Sequence, residues 1–244
     1  EIAAMRRAGA VAAATLHAVG QQLRAGMTTA AIDALVRDDT RRRGATPSQL
    51  GYHGFPAAVC TSRNEVVCHG IPSPRVVLQP GDIVNVDITS CLDGWHGDTS
   101  ATFAVGPLAP EAAHLVETAR RARDAGIAVI RDGARLGDIG AAVEEVARKA
   151  GCSVVRAYGG HGIGRRMHCD PHVSHVGPGA VGPRLKAGMV LTVEPMINLG
   201  TDAVKQLDDG WTVVTADGRW SAQFEHTVLV TATGYELLTA PPEG

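Results

Sequence analysis

The stretch Gly81-Asp-Ile-Val-Asn-Val-Asp87 decides the fold of this 244-residue chain, because it predicts a strand from Asp82 to Ile88 with Asp87 near its end. A turn and a return strand through Asp98 complete a predicted hairpin. A tight Asp93-Gly94 turn would pair Asp87 with Ser100, whereas a four-residue loop or a bulge would pair it with Asp98, which is the arrangement we expect. Two aspartates side by side would repel unless a cation or a shared proton held them, although solvated turn residues are the alternative.

The pattern recurs 107 residues later as Gly188-Met-Val-Leu-Thr-Val-Glu194, so that Asp87 and Glu194 occupy the same strand position. The same offset pairs Arg24, Gly26, Ile32, Ala34, Val36, Arg41 and Gly44 with Arg131, Gly133, Ile139, Ala141, Val143, Arg148 and Gly151. A constant offset over this distance indicates an internal duplication. The second acid of the second half is Glu225, which follows Asp98 by 127 residues.

The duplication predicts a single catalytic domain over residues 1–244, made of interlocked halves at about 1–107 and 108–244 that share one core. Four acids on four strands around a pseudo-two-fold axis predict a divalent metal site. Helix pairs are expected at 1–23 and 28–43 and again at 111–130 and 137–150, and one strand is expected around 189–198.

Composition excludes several classes of function. The net charge of −2 and the scattered basic residues predict no specific nucleic-acid partner. Five cysteines without C-x-x-C spacing indicate neither a disulfide framework nor a zinc ribbon, and they suit a reducing cytoplasm. No apolar run reaches the roughly 18 residues of a membrane helix, so no membrane partner is expected. Cytoplasmic localisation is the resulting expectation.

The candidate metal ligands combine four carboxylates with one imidazole. They are Asp87, Asp98, His161, Glu194 and Glu225. Such a set suits a pair of borderline-hard divalent ions, which carboxylates can bridge. A histidine in a glycine-rich loop is by itself typical of an ordinary polar loop, but its occurrence with the four acids favours a ligand.

Six motifs taken together carry a family resemblance over essentially the whole chain. They are Val67-Cys-His-Gly-Ile-Pro72, Asn85-Val-Asp87, His96-Gly-Asp-Thr-Ser100, Gly160-His-Gly-Ile-Gly164, Thr192-Val-Glu-Pro-Met196 and Gln223-Phe-Glu-His-Thr227. The sequence resembles the type I methionine aminopeptidases. That resemblance implies the α+β pita-bread fold, in which a curved antiparallel sheet carries two helix pairs on its outer face.

The resemblance also implies a chemistry. The five candidate ligands fall on the family's positions for two divalent ions, which could be Co, Mn, Fe or Zn, with Asp98 and Glu225 bridging them. A metal-bridging hydroxide would attack the carbonyl after the first residue, and Glu194 would carry its proton to the leaving amine. His168 would donate to the oxyanion and His69 to the amide of the next residue. The implied substrates are nascent polypeptide N-termini with methionine first and a small residue second. The ribosome is a candidate partner, and a monomer is expected.

By the same resemblance, a soft and aromatic pocket would hold the methionine side chain. Its substrate-binding residues would be Tyr52, Phe55, Cys60, Met167 and Trp211, with His69 and His168 beside the cut bond. Ordinary core packing is the alternative for each pocket residue. The chain departs from the common family pattern at Gln49, Met167 and Cys169, positions at the pocket and its rim. The relative rates among substrates are therefore left open, while the metal set is intact.

Rival interpretations share the fold. A proline-directed peptidase such as prolidase or aminopeptidase P would carry an extra N-terminal domain and further histidine motifs, which this sequence lacks. A metal-free binding module would have lost ligands that are all present here. A type II enzyme would carry an insertion longer than the extra residues between Glu194 and Glu225.

Overall fold

In the computed structural model, the structure describes residues 1–241, which form four α-helices, one 3₁₀ helix (Tyr52–Gly54) and fifteen strands. The helices are α1 (Ile2–Gly20), α2 (Thr29–Arg42), α3 (Pro110–Ala128) and α4 (Leu136–Lys149). The strands are β1 (Thr46–Pro47), β2 (Cys60–Arg63), β3 (Val66–Cys68), β4 (Ile83–Leu92), β5 (Trp95–Ala104), β6 (Ser153–Val154), β7 (Gly160–Gly162), β8 (Cys169–Val173), β9 (Val190–Val193), β10 (Met196–Asn198), β11 (Val204–Gln206), β12 (Val213–Thr215), β13 (Ser221–Gln223), β14 (Glu225–Val230) and β15 (Tyr235–Leu237). Both predicted helix pairs are confirmed.

The main sheet has nine strands, and its central order is β1-β4-β5-β14-β9-β7-β8. Strand β2 adds to β4 and β15 adds to β14, and every pairing is antiparallel. Two 3-stranded sheets, β13-β10-β6 and β11-β12-β3, complete the strand structure. Helices on an antiparallel sheet confirm the predicted α+β class.

The main sheet has an apolar face and a polar face because side chains alternate along each strand. On β4, Val84, Val86 and Ile88 are fully buried in a core that α1 and α2 share. On β9, Leu191 and Val193 do the same in a core with α3 and α4. The intervening polar residues, including the acids, therefore face away from the helices.

The acidic hairpin has a tighter turn than expected. Asp93 and Gly94 adopt φ values of 52° and 76°, and they form a two-residue turn that pairs Asp87 with Ser100. The predicted four-residue loop is wrong, because Asp and Gly tolerate the left-handed backbone that matches the twist of the flanking strands. Asp98 pairs with Thr89, so Asp87 and Asp98 remain diagonal neighbours on one face.

The internal duplication is visible in the backbone. Three glycines of the first half and their partners 107 residues later all have positive φ, namely Gly26, Gly44, Gly81, Gly133, Gly151 and Gly188. Isolated bridges join Thr28 to Val77 and Arg135 to Arg184, which are again related by that offset. The two halves therefore repeat the same helix-to-strand connections.

The last strands of the two halves are related by a different offset. Gly81 N donates to Val105 O, and Gly188 N makes the same bond to Val230 O. The separation from Val105 to Val230 is 125 residues, so the residue that corresponds to Glu225 is Ser100 rather than Asp98. The expected equivalence of Asp98 and Glu225 is therefore wrong by two residues. Because side chains point to the same face at every second residue of a strand, both acids still lie on the same face.

The strand expected around 189–198 is two strands in different sheets. Strand β9 ends at Val193, and β10 begins at Met196 in a 3-stranded sheet. Pro195 lies in the break, where it has no backbone N–H to give to a ladder. A similar break at Phe224 separates β13 from β14. Glu194 and Glu225 therefore lie where the chain passes from one sheet to another.

Helix α1 crosses the acidic hairpin so closely that only glycine fits at one point. A Cβ on Gly97 would lie 2.5 Å from Gly9 N and 2.6 Å from Ala8 C. We expect Gly97→Ala to lower the free energy of unfolding by about 1–3 kcal/mol through overpacking, as measured by urea unfolding. The control is Gly234→Ala, whose Cβ would meet no described atom within 4 Å. Equal stability of the two variants would contradict this account of the helix–hairpin contact.

Candidate metal centre and substrate cavity

The site residues named from the sequence all line one cavity of about 170 Å³. These are Tyr52, Phe55, Cys60, His69, Asp87, Asp98, His161, Met167, His168, Glu194, Trp211 and Glu225. The cavity wall also contains Gln49, which was expected at the pocket or its rim only as a departure from the family pattern, and Thr89, which was not predicted from the sequence.

The acids and His161 form a compact cluster on the polar face of the main sheet. His161 Nε2 lies 3.7 Å from Asp98 Oδ2 and 3.5 Å from Glu194 Oε1. One ligand atom from each of Asp98, His161 and Glu225 lies within 4.8 Å of the others, which makes these three a candidate metal-binding cluster. Asp87 lines the same cavity from β4.

Neighbouring side chains hold two of the carboxylates. Thr89 Oγ1 donates to Asp98 Oδ1 at 2.8 Å, and Thr192 Oγ1 donates to Glu194 Oε1 at 2.7 Å. Gln223 Nε2 also donates to Glu194 Oε2 at 3.3 Å. The sequence analysis missed these donors. Each lies two residues from one of the acids along the chain, a spacing at which residues of one strand share a face and which could have identified them.

His175 is a further residue whose position the sequence did not reveal. It is 2% exposed, and its Nε2 accepts a hydrogen bond from Glu194 N at 3.1 Å. Burial lowers the pKa of His175 to about 3. The neutral ring of His175 therefore holds the backbone of Glu194, a predicted metal ligand, in place.

Burial changes the pKa values of the acids and of His161 in the cluster. It raises the pKa of Asp98 to about 7, and it raises the pKa values of Asp87, Glu194 and Glu225 well above their ordinary range, with a further rise from neighbouring carboxylates. Burial also lowers the pKa of His161 to about 4, so its imidazole is neutral at pH 7.

No lysine or arginine within residues 1–241 forms an ion pair with these four acids. Crowded carboxylates without a protein cation are costly to bury, and divalent ions would remove that cost. Oxygen donors with one neutral imidazole are also the ligands that such ions prefer. The residues present therefore fit a divalent metal centre.

Apolar and aromatic side chains form the wall beside the cluster. The rings of Phe55 and Trp211 meet edge to face with centroids 5.1 Å apart. Cys60 and Met167 are each 5% exposed and line the same cavity. This wall suits an unbranched apolar side chain and contains the residues of the predicted pocket.

His69 and His168 both line the cavity, and each is held in a different way. His168 Nδ1 is hydrogen-bonded to Tyr52 Oη at 2.8 Å, and its ring centroid is 4.2 Å from that of His161. His69 adopts a left-handed φ of 56°, which is strained for a residue with a Cβ. Burial lowers the pKa of both, that of His168 to about 4.

Comparisons with known proteins agree with this geometry. Residues 3–232 match the model of metallopeptidase family M24. The chain belongs to metallopeptidase family M24. It is 48% identical to methionine aminopeptidase A of Synechocystis over 98% of this chain and 94% of that protein. It is 47% identical to methionine aminopeptidase 1 of Mycobacterium tuberculosis over 98% and 92%. The crystal structure of methionine aminopeptidase from Rickettsia prowazekii superposes with a TM-score of 0.96 at 46% identity, covering 98% of this chain and 96% of that one.

Family membership confirms the expectation of a metal-dependent hydrolase, and the similar proteins and structure confirm the resemblance to methionine aminopeptidases and the pita-bread fold. None of the helices in residues 1–241 combines the length and the apolar character that crossing a bilayer requires.

The raised pKa of Asp98 leads us to expect a pH-dependent stability of the metal-free chain. Its carboxyl titrates at about 7 when folded and near 3.8 ordinarily, so the folded state holds a proton that the unfolded chain has released. Folding must therefore bind this proton, and the destabilisation that Asp98 causes grows as the pH rises from about 4 to 7. In chelator, the stability gained by Asp98→Asn should increase across that window, as measured by urea unfolding at each pH. A gain that does not change with pH would contradict the burial effect.

Proposed function

We propose that the chain removes the N-terminal methionine from nascent polypeptides whose second residue is small. The observation that carries the proposal is that one cavity joins the buried acid–imidazole cluster to an apolar wall sized for a single side chain. Hydrolysis and recognition of the first residue would then occur in adjacent parts of the same cavity.

We propose that two divalent ions bind in this cavity. The residues that would hold them are Asp87, Asp98, His161, Glu194 and Glu225. When bound, such ions lower the pKa of a water to near neutral and polarise a substrate carbonyl. Co, Mn, Fe and Zn all accept these ligands, so the availability of each metal in the cell would decide which one is bound. The bound ions would also attract the free amine of the substrate, which restricts cleavage to a terminal residue.

Glu194 is the proposed proton carrier. It would accept a proton from the attacking water and deliver it to the leaving amine. Bonds from Thr192 and Gln223 fix both of its oxygens, which sets the direction in which a proton is received. Its burial supports this role because a raised pKa brings a carboxylate closer to the working pH.

His168 is the proposed donor to the oxyanion. Its lowered pKa keeps the ring neutral at pH 7, so only one nitrogen carries a proton. If Tyr52 donates to Nδ1, the proton lies on Nε2, which is then available to the developing charge. His69 is the proposed donor to the amide of the residue after the cut.

The methionine side chain would occupy the wall formed by Tyr52, Phe55, Cys60, Met167 and Trp211. Thioether, thiol and aromatic groups are polarisable, and they contact a sulfur-containing side chain favourably. The same cavity must admit the second residue beside His69, which supports a preference for a small one.

The remaining parts of the proposal concern the chain as a whole. Residues 1–244 would act as one catalytic domain, because Asp87 and Asp98 come from the half at about 1–107 and His161, Glu194 and Glu225 come from the half at 108–244. Free cysteines support a reducing cytoplasm, where the enzyme would act as a monomer on chains emerging from the ribosome.

A comparison of tripeptides tests the proposal. The metal-loaded chain should hydrolyse Met-Ala-Ser and should turn over Lys-Ala-Ser at least about a hundredfold more slowly, because burying an unpaired ammonium against this wall costs several kcal/mol. Chelator should abolish the rate, and added metal should restore it. Comparable rates on both peptides, or faster release from an X-Pro peptide, would overturn the assignment.

Substitution of the two histidines separates metal binding from catalysis. His168→Ala should leave the metal stoichiometry unchanged and lower kcat by roughly 10²–10³, because one preorganised donor is lost. If that contact forms mainly in the transition state, kcat and kcat/KM should fall together. The matched variant His161→Ala should weaken metal binding instead, and excess metal should partly restore its rate. Loss of an ion in His168→Ala, or rescue of that variant by excess metal, would show that His168 is misassigned.

A further inference from the structure

The side chain of Gln49 fills a gap at the edge of β4. On this edge, β2 pairs with β4 as far as Asp87, and β1 pairs only with Ser90 and Cys91. In the gap, Gln49 Nε2 donates to Asp87 O at 2.9 Å, and Thr89 N donates to Gln49 Oε1 at 3.0 Å. The carboxamide thus takes the place of a peptide group in the ladder.

The same amide also contacts the Asp87 carboxylate. Gln49 Nε2 lies 3.4 Å from Asp87 Oδ1, and the side chain is buried, with 7% of the residue exposed. An amide nitrogen carries two protons, so it can serve both the carbonyl and the carboxylate of Asp87. Each carboxylate oxygen has two lone pairs, so one accepted hydrogen bond leaves the other available to a cation.

Asp87 has no other side-chain donor among residues 1–241. Asp98 and Glu194, by contrast, are held by Thr89, Thr192 and Gln223. Gln49 therefore donates to Asp87 as those side chains donate to Asp98 and Glu194, although it comes from a different segment of the chain.

We infer that Gln49 is a positioning residue that orients Asp87 for one of the two ions, and this inference rests on the proposed metal centre. Removing a hydrogen-bond partner of a metal ligand typically lowers metal affinity by about 10- to 100-fold. The effect should be strongest at the ion that Asp87 holds, because Asp87 is the predicted ligand to which Gln49 is hydrogen-bonded.

The test is a calorimetric titration of the metal-free chain with Mn²⁺ for the wild type and for Gln49→Leu. Gln49→Leu should weaken one binding step by about 10- to 100-fold and affect the other less. The matched control is Asn64→Leu. Asn64 is also a buried amide bonded to β4, since its Oδ1 accepts from Ile83 N at 3.0 Å, but it lies at the end of the strand away from the acids.

Asn64→Leu should lose thermal stability and keep both Mn²⁺ affinities. Wild-type affinities in Gln49→Leu, or equal weakening of both steps, would overturn the positioning role. If Gln49→Leu does not fold, Gln49→Met keeps the length of the side chain and removes the N–H groups that reach Asp87. It should likewise weaken one binding step, and unchanged affinities would overturn the inference. A wild-type chain that binds no Mn²⁺ would instead refute the proposed metal centre itself.

Discussion

The central constraint of the structure is a cluster of three buried carboxylates and the half-buried Asp87 around one neutral imidazole, with no lysine or arginine of residues 1–241 paired to them. Such a cluster is unfavourable in a protein interior unless its charge is neutralised. Protonation can neutralise it in part, as the raised pKa of Asp98 indicates, but bound cations neutralise it more completely. Hydrogen bonds from Gln49, Thr89, Thr192 and Gln223 hold three of the carboxylates, Asp87, Asp98 and Glu194, in place against their mutual repulsion.

The duplicated frame brings these acids together. Each half lays two helices on the apolar face of its strands, so the polar residues between the apolar ones point to the opposite face. Strands β5 and β14 then pair with each other and bring the two halves edge to edge. The site is therefore made by both halves, and neither half contains the whole candidate ligand set.

Much of this arrangement could be predicted from the sequence. The strand that contains Asp87 and its repeat at Glu194 are local patterns, and six short motifs identify the ligands by resemblance. The hairpin register could not be predicted, because a two-residue turn and a longer loop both suit the residues near Asp93. The correspondence of Glu225 to Ser100 rather than Asp98 could not be predicted either. It depends on that register and on the insertions between the strands of the second half.

Contacts between distant segments were beyond local patterns. Gln49 was noted only as a departure from the family pattern, yet its amide bonds to Asp87 and Thr89, about 40 positions along the chain. His175 likewise reaches the backbone of Glu194 through folding alone. These residues have no periodic relation to the acids, so only the tertiary structure reveals their roles.

The central claim is that this cavity is a two-metal centre. Crystals of the chain soaked in Mn²⁺ and measured by anomalous diffraction test it most directly. The account predicts two anomalous peaks inside the cavity, one of them against Asp87 and both within reach of Asp98 and Glu225. An empty cavity at saturating Mn²⁺, or peaks only on the protein surface, would contradict it.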